Sequence, residues 1–332
     1  MSHSSLEELH RQCRVTSSQA FAPGTWSNLK RHSASFCKFC NLHGLPTLPL
    51  SQDNVLPYLQ YYSQTVNCFS SVANVFSSLK TWSKLNGHLL TELFSFSVNI
   101  FLNGLKRRMV TAVRQMLPVT PHLLARLHGL LDFRNGFHVC MWSAMLFLFF
   151  TFFRKSNVLP QSCVQFDPCK QVTRNDIVFT RQGLVVSVRW SKTIQYGQRQ
   201  VLIPVSCIPG SILCPVTAYC NLLLKVRTKP GSSPFCYVNK SGAVICLSYP
   251  VFVTQLRKWL TQLGVSNVQR YSSHSFRRGG ATFAFQSGVN SQLIKAQGDW
   301  ASECYTRYVS LSLKDKLVTT STMATGIASL GL

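Results

Sequence analysis

Carboxylates are scarce in this chain. Its 332 residues include ten Asp and Glu against thirty-four Lys and Arg, a formal net charge of +24. Charged residues amount to only 13%, about half the usual share. The surface is therefore not a dense mixture of both signs. It is a mostly neutral surface, rich in Ser, Gln and Asn, under a nearly unopposed positive field. Such a field draws polyanions, either nucleic acid or an anionic membrane. From Ile177 to Gly298 no Asp or Glu occurs, yet that stretch holds fourteen Lys and Arg. Solubility alone does not demand so long an exclusion. Contact with a phosphate backbone is the more economical reading.

Other absences narrow the class further. The thirteen cysteines are odd in number and lack the regular spacing of a disulfide framework. Reduced, mostly buried thiols in an intracellular protein are expected. The start of the chain is polar and carries Glu7 and Glu8, so it does not read as a signal peptide. Cys37 and Cys40 form one Cys-x-x-Cys with His32 and His43 nearby. Zinc would want a second matched pair, and none follows. Neither metal nor cofactor is expected. The uncharged apolar run Val139–Phe153 is shorter than the roughly twenty residues that span a bilayer. It is bracketed by Arg134 and Arg154. A buried helix is expected there, and no membrane partner. The 46% hydrophobic content rules out disorder as the main state.

The first third reads as helical. Residues 1–15 are expected to be a polar tail. A first helix follows from Thr16 through Trp26, Leu29, Phe36 and Phe39, broken at Gly44-Leu-Pro. A second covers Asn54–Tyr62. A third covers Cys68–Leu85, with apolar residues at 72, 75, 76, 79 and 82 and a cap at Asn86-Gly87. A fourth covers Phe94–Leu105, and no strand pattern precedes residue 110. Lys106-Arg107-Arg108 is too short to read as a nuclear signal. A linker is placed at 109–118, before the cap Thr120 and Pro121 at the first helical position. The second part is expected to be helical over 122–153. Three short β-branched segments then form an antiparallel meander: Asp176–Thr180, Leu184–Trp190 and Arg199–Pro204. Helices return at Pro215–Val226, Tyr249–Gly264, His274–Ser287, Ser291–Gln297 and about 302–317, before a tail at 319–332. The class is α+β, mainly α.

The most informative stretch starts at His274-Ser-Phe-Arg277-Arg-Gly-Gly, continues through Gly298-Asp-Trp300, and ends at Tyr305-Thr-Arg-Tyr308. His274 and Arg277 lie three apart and share a helix face. This series resembles the tyrosine recombinase (phage-integrase-like) family. Phe-Phe-Arg-Lys-Ser-Asn, Trp-Ser-Lys-Thr and Gly-Asp-Trp resemble the recombinases of eukaryotic DIRS-type and Crypton-type mobile elements. The resemblance spans nearly the whole chain. It implies an N-terminal four-helix core-binding (SAM-like) domain at 16–108. A helical catalytic domain at 119–318, with a small three-stranded β-insert, would follow. Residue by residue, it assigns Arg154 as the first arginine and Lys192 as the strand-turn lysine. His274 and Arg277 match the H-x-x-R pair, Trp300 the His-or-Trp position, and Tyr308 the nucleophile, with Tyr305 as the alternative. Many family members carry a carboxylate three residues after the first arginine; here Asn157 stands there.

The chemistry fits these residue types. Two arginines can clamp the oxygens of a phosphorane-like transition state. A tyrosine oxygen can attack and hold DNA as a phosphotyrosyl ester. A lysine can protonate the leaving 5′-oxygen. A histidine can exchange the tyrosine proton, and an indole N–H can hold the phosphate. Each residue also has a bland alternative: Arg154 at a helix end, Lys192 in an exposed hairpin, His274 as a cap, Trp300 as core. Arg278 is read as a backbone contact or solvated, and Gly279-Gly280 as a site of close helix packing. The resemblance implies a site-specific recombinase of a mobile element. It would act on double-stranded DNA as a tetramer, in the nucleus of a eukaryote or otherwise in a cytoplasm. The alternatives are a DNA-binding descendant that has lost catalysis, a type IB topoisomerase-like relaxing enzyme, and a basic membrane-peripheral protein.

Overall fold

The computed structural model describes residues 5–109, 115–191, 194, 199–309 and 313–329. The chain divides into two compact units, Met1–Val113 and Arg114–Leu332.

The first unit contains α1 (Leu6–Ser18), α2 (Pro23–Leu42), α3 (Gln52–Thr65), α4 (Phe69–Leu85), a 3₁₀ turn (Thr91–Phe94) and α5 (Phe96–Arg108). Helix α1 corrects the expected tail at 1–15. Ser5 Oγ accepts the Glu8 N–H at 3.2 Å, and Glu8 meets Arg11 one turn on at 2.6 Å. Capping and an acidic first turn suffice to start a helix. None of its residues is buried, so polarity dictated its exposure and not its conformation. Helices α2 to α5 supply the core through Phe36, Tyr58, Leu59, Val72, Val75, Leu79, Val98 and Leu105. Four of the five periodic positions of α4 are buried, at 72, 75, 76 and 79. The helix ends at Asn86, with Gly87 in the left-handed region at φ 79°.

The second unit opens with α6 (Pro121–His128), which Thr120 caps by accepting the Leu123 N–H at 3.2 Å. Helix α7 (Gly136–Thr151) follows. The single helix expected over 122–153 is thus two, because Asn135 Oδ1 accepts the Phe137 N–H at 2.9 Å and starts a new one. Helix α7 is buried on every side from Val139 to Phe149. It is the centre of this unit's core, as its composition led us to expect. No helix among the described residues is long and apolar enough to cross a membrane.

Next come the short α8 (Lys155–Val158) and strands β1 (Ile177–Thr180), β2 (Gly183–Val188) and β3 (Val201–Ser206). They form an antiparallel sheet in the order β1-β2-β3, with Ile177, Val186 and Ile203 in one register row. All three of these residues are buried, so the alternation puts one face on the core. Helix α9 (Pro215–Lys225) leads to a hairpin the sequence reading lacked, β4 (Cys236–Val238) with β5 (Val244–Cys246). Its turn is closed by Asn239 Oδ1, which accepts the Ser241 and Ala243 N–H groups at 3.0 and 2.9 Å.

Helices α10 (Tyr249–Gln262), α11 (Ser273–Gln286) and α12 (Ser291–Gln297) complete the packed part. Helix α11 crosses α7 so closely that a Cβ on Gly280 would lie 2.0 Å from the Phe149 carbonyl oxygen. One on Gly279 would lie 1.8 Å from that of Val119. These two glycines are the close-packing pair read from the sequence.

The last expected helix, 302–317, is corrected. Residues Glu303–Arg307 form a 3₁₀ turn that Tyr308 caps, and α13 runs from Leu313 to Ser329. The tail expected at 319–332 is therefore helical as far as Ser329. In the 3₁₀ segment Ser302 Oγ accepts the Cys304 N–H, and Thr306 Oγ1 donates to the Glu303 carbonyl at 2.8 Å. Local Ser and Thr bonds of this kind compete with α-helical pairing.

Candidate active site

The site is built where α7 ends. Phe152 caps that helix with φ 53°, a left-handed conformation uncommon outside glycine. Its carbonyl accepts a hydrogen bond from Arg277 Nη1. Arg154 follows two residues on and caps α8, its N–H donating to Asn157 Oδ1 at 3.2 Å. Arg154 and Arg277 line one small cavity together with Asn157, Ser191, Gln297 and Asp299.

Arg277 is the largest fully buried side chain among the described residues, 1% exposed. Nη2 donates to the Gly298 carbonyl at 2.8 Å. The guanidinium carbon lies 3.9 Å from the Trp300 ring centre and 5.1 Å from that of Tyr308. A cation between two ring faces is held by their quadrupoles. Burial above all, then the charge of Arg154, pushes the Arg277 pKa down to about 9. The potential of Tyr308, a hydrogen bond to it, and the charge of Asp299 act in the other direction. Arg277 thus stays cationic at neutral pH. Its Nε, and the indole Nε1 of the buried Trp300, find no acceptor among the described residues. A buried donor left unpaired costs about 1–3 kcal/mol, and two of them lie side by side here.

Trp300 packs on Phe152, Tyr305 and Tyr308, with ring centres 6.1, 6.4 and 5.2 Å away. Side chains three apart on a 3₁₀ turn eclipse one another instead of diverging as on an α-helix. That is why both tyrosines reach one indole. They still differ: Arg277 lies over the Tyr308 ring, and the Tyr308 carbonyl accepts from Thr282 Oγ1 of α11 at 3.2 Å.

His274 lies in the first turn of α11, its N–H donating to Ser272 Oγ at 3.3 Å. Its ring reaches solvent. Its pKa is lowered by partial burial first, then by the charges of Arg277, Arg154 and Lys155. Lys192 lies outside the described residues. Arg278 is engaged by structure, Nη1 donating to the Arg307 carbonyl at 2.9 Å.

The sequence reading passed over Ser191 and Asp299, which line this cavity, and Arg199 beside them. Asp299 Oδ1 meets Arg199 Nη2 at 2.5 Å, and Ser191 Oγ donates to Asp299 Oδ2 at 3.1 Å. The signal was present, since Asp299 is the first carboxylate after the bare stretch that ends at Gly298.

No family model matches the chain. A curated relative, an integrase/recombinase XerD homolog of Selenomonas ruminantium, is 24% identical over 291 residues. The match covers 81% of this chain and 76% of the relative. The fold is similar to that of the Tn1549 transposon integrase solved with transposon right-end DNA. That likeness has a TM-score of 0.59 and 13% identity, over 94% of this chain and 98% of the other. It is also similar to a lambda integrase dimer bound to a core site, with a TM-score of 0.55 and 13% identity over 93% and 96% of the two chains. The mainly helical architecture with its small antiparallel sheet is the tyrosine recombinase fold. The chain is thus similar in sequence to one integrase/recombinase and similar in fold to solved integrases.

Proposed function

We propose that this protein cuts and rejoins duplex DNA through a 3′-phosphotyrosyl link on Tyr308. The observation that carries this reading is the Arg277 guanidinium against Trp300 and Tyr308. Two buried N–H donors there are unpaired among the described residues, and Arg154 lines the same cavity. Phosphate oxygens are acceptors that would satisfy those donors.

In the step proposed, Tyr308 Oη attacks the phosphorus. A phosphotyrosyl ester forms and the bond to the 5′-oxygen breaks. The phenol proton passes to His274, whose lowered pKa keeps it neutral and able to accept. The leaving 5′-oxygen takes a proton from Lys192, a role given by the family resemblance. Rejoining is the reverse. Arg154 and Arg277 neutralise the charge that develops on the phosphorus oxygens, so the step asks for no metal ion. Origin in a mobile element and assembly as a tetramer on DNA belong to the same reading.

The test is a nicked duplex pool of randomised sequence, incubated with the full chain in chelator and resolved under denaturing conditions. A covalent protein–DNA band in EDTA is expected. Binding of the same pool should weaken steeply with salt, by about 0.9 log–log units per phosphate contacted. No band, or one that requires added magnesium, would overturn the mechanism.

A further inference from the structure

We propose that Asp299 is a positioning residue for strand cleavage. Its carboxylate tethers the β2–β3 connection, at Ser191 and Arg199, to the segment that carries Trp300. This inference rests on the cleavage reading above and assigns it a residue outside the family's motif set.

The geometry is specific. Asp299 sits between Gly298, whose carbonyl holds Arg277, and Trp300, whose ring stacks on that arginine. It adopts φ 49°, which most side chains avoid and Asp tolerates better than most. Gly298 must be glycine, since a Cβ there would lie 1.9 Å from the Trp300 ring. The turn is thus fixed by packing, and it aims the Asp299 carboxylate at the sheet. One oxygen meets Arg199 Nη2 at 2.5 Å, and the other accepts from the buried Ser191 Oγ at 3.1 Å. Ser191 and Arg199 bracket residues 192–198 in sequence, and Lys192 follows Ser191 directly.

A second clamp acts one residue earlier. Asn157 Nδ2 donates to the Trp190 carbonyl at 3.4 Å, while its Oδ1 holds the Arg154 N–H. Consecutive residues Trp190 and Ser191 are therefore tied to the Arg154 segment by Asn157 and to the Trp300 segment by Asp299. Asn157 stands where many family members carry a carboxylate, and an amide brings no charge to the arginine cavity. Asp299 lines that cavity and brings one from another element. Its charge favours the cationic form of Arg277.

Asp299→Asn keeps the shape and removes the charge. In free protein, hydrogen exchange of the amides around 190–191 and 199–201 should quicken about tenfold. The first unit should be unaffected. On the nicked duplex pool, affinity should stay within about threefold of the unaltered chain. The rate of adduct formation from bound DNA should fall about ten- to a hundredfold, because in-line attack tolerates little misplacement. A merely structural residue would not split rate from affinity in this way. Ser191→Ala should reproduce the exchange change in part, and serves if Asp299→Asn does not fold. Unchanged exchange, or an unaltered rate from bound DNA, would overturn the tether while leaving the cleavage reading intact. No adduct from the unaltered chain would overturn the cleavage reading and the positioning role with it.

Discussion

Two buried polar side chains, one in each unit, are treated in opposite ways. In the first unit His32 is 6% exposed. Its Nε2 faces Arg31 Nη2 at 3.2 Å, and a guanidinium can only donate, so Nε2 accepts. Nδ1 therefore carries the proton and donates to Ser78 Oγ at 2.9 Å. Every ring nitrogen is used. In the second unit Arg277 is still more buried, yet its Nε and the neighbouring Trp300 Nε1 find no acceptors among the described residues. The backbone around them is also unusual, with Phe152 and Asp299 both at positive φ. Unpaired buried groups do not mark a ligand site alone, since Arg174 Nε and Tyr219 Oη also find no partner among the described residues; at Arg277 they coincide with positive-φ backbone. On the proposed function, the difference separates a scaffold histidine from a functional arginine, although both could be dismissed as core residues.

Breaking the functional side should have the larger consequence. Arg277→Lys keeps a positive charge but cannot reach both the Phe152 and Gly298 carbonyls as a planar fork does. Adduct formation should fall by about 10²–10³-fold, the scale seen on removing one transition-state donor. Loss of less than about tenfold would mean that Arg277 is a packing residue.

The next test uses pH. His274 has a pKa lowered from 6.5, so the folded state favours the neutral ring. Adduct formation should be level above pH 6.5 and decline only below it, as the imidazole becomes protonated. His274→Gln should abolish that acid limb and slow the reaction by about 10²-fold at neutral pH. His32, whose pKa is also lowered, makes the contrasting prediction for stability. Its unfolded form takes up a proton as pH drops through 6.5 while its folded form resists. Stability of the first unit is then complete above 6.5 and is lost as pH falls towards the folded value. The measurement is urea unfolding of the full chain followed by hydrogen exchange within α2 and α4. An acid limb in cleavage that survives His274→Gln would point to another base.

Glycine substitutions give the smallest effects and sharpen the contrast in packing. Gly280→Ala would drive a methyl into the Phe149 carbonyl and the Phe152 ring, and should cost about 1–3 kcal/mol, the usual range for overpacking. Gly104, inside α5, has nothing within 4 Å of the added carbon. There alanine should stabilise by up to about 1 kcal/mol through helix propensity. Equal effects at the two sites, read by thermal unfolding, would contradict the close crossing of α11 on α7.

Much of this was legible in the sequence, and the physics explains where it was not. Helix α7 declared itself through an unbroken apolar run, and the three sheet strands through β-branched segments between glycines. The grouping of Arg154, Arg277, Trp300 and Tyr308 was implied by the family resemblance, and the glycine pair in α11 was read from the sequence. Helix α1 was missed because a polar segment carries no burial signal, although its Ser5 and Glu8 capping pattern was present. Strands β4 and β5 are three residues each, too short for alternation to register. The 3₁₀ turn at Tyr305 was read as α-helix because i, i+3 spacing suits both. Asp299 went unnoticed because its partners, Ser191 and Arg199, lie about a hundred residues away in sequence. Only the folded chain brings them together.

The central claim, that Tyr308 is the nucleophile of a DNA-cleaving site, is tested most directly by trapping adducts from two single variants. Tyr308→Phe keeps the ring against Trp300 and Arg277 and removes only the attacking oxygen. It should bind the nicked duplex pool as the unaltered chain does and form no covalent band. Tyr305→Phe should still form the band, within about tenfold of the unaltered rate, since only one phenol can lie in line with the phosphate. A band that persists in Tyr308→Phe, or vanishes in Tyr305→Phe alone, would contradict the account.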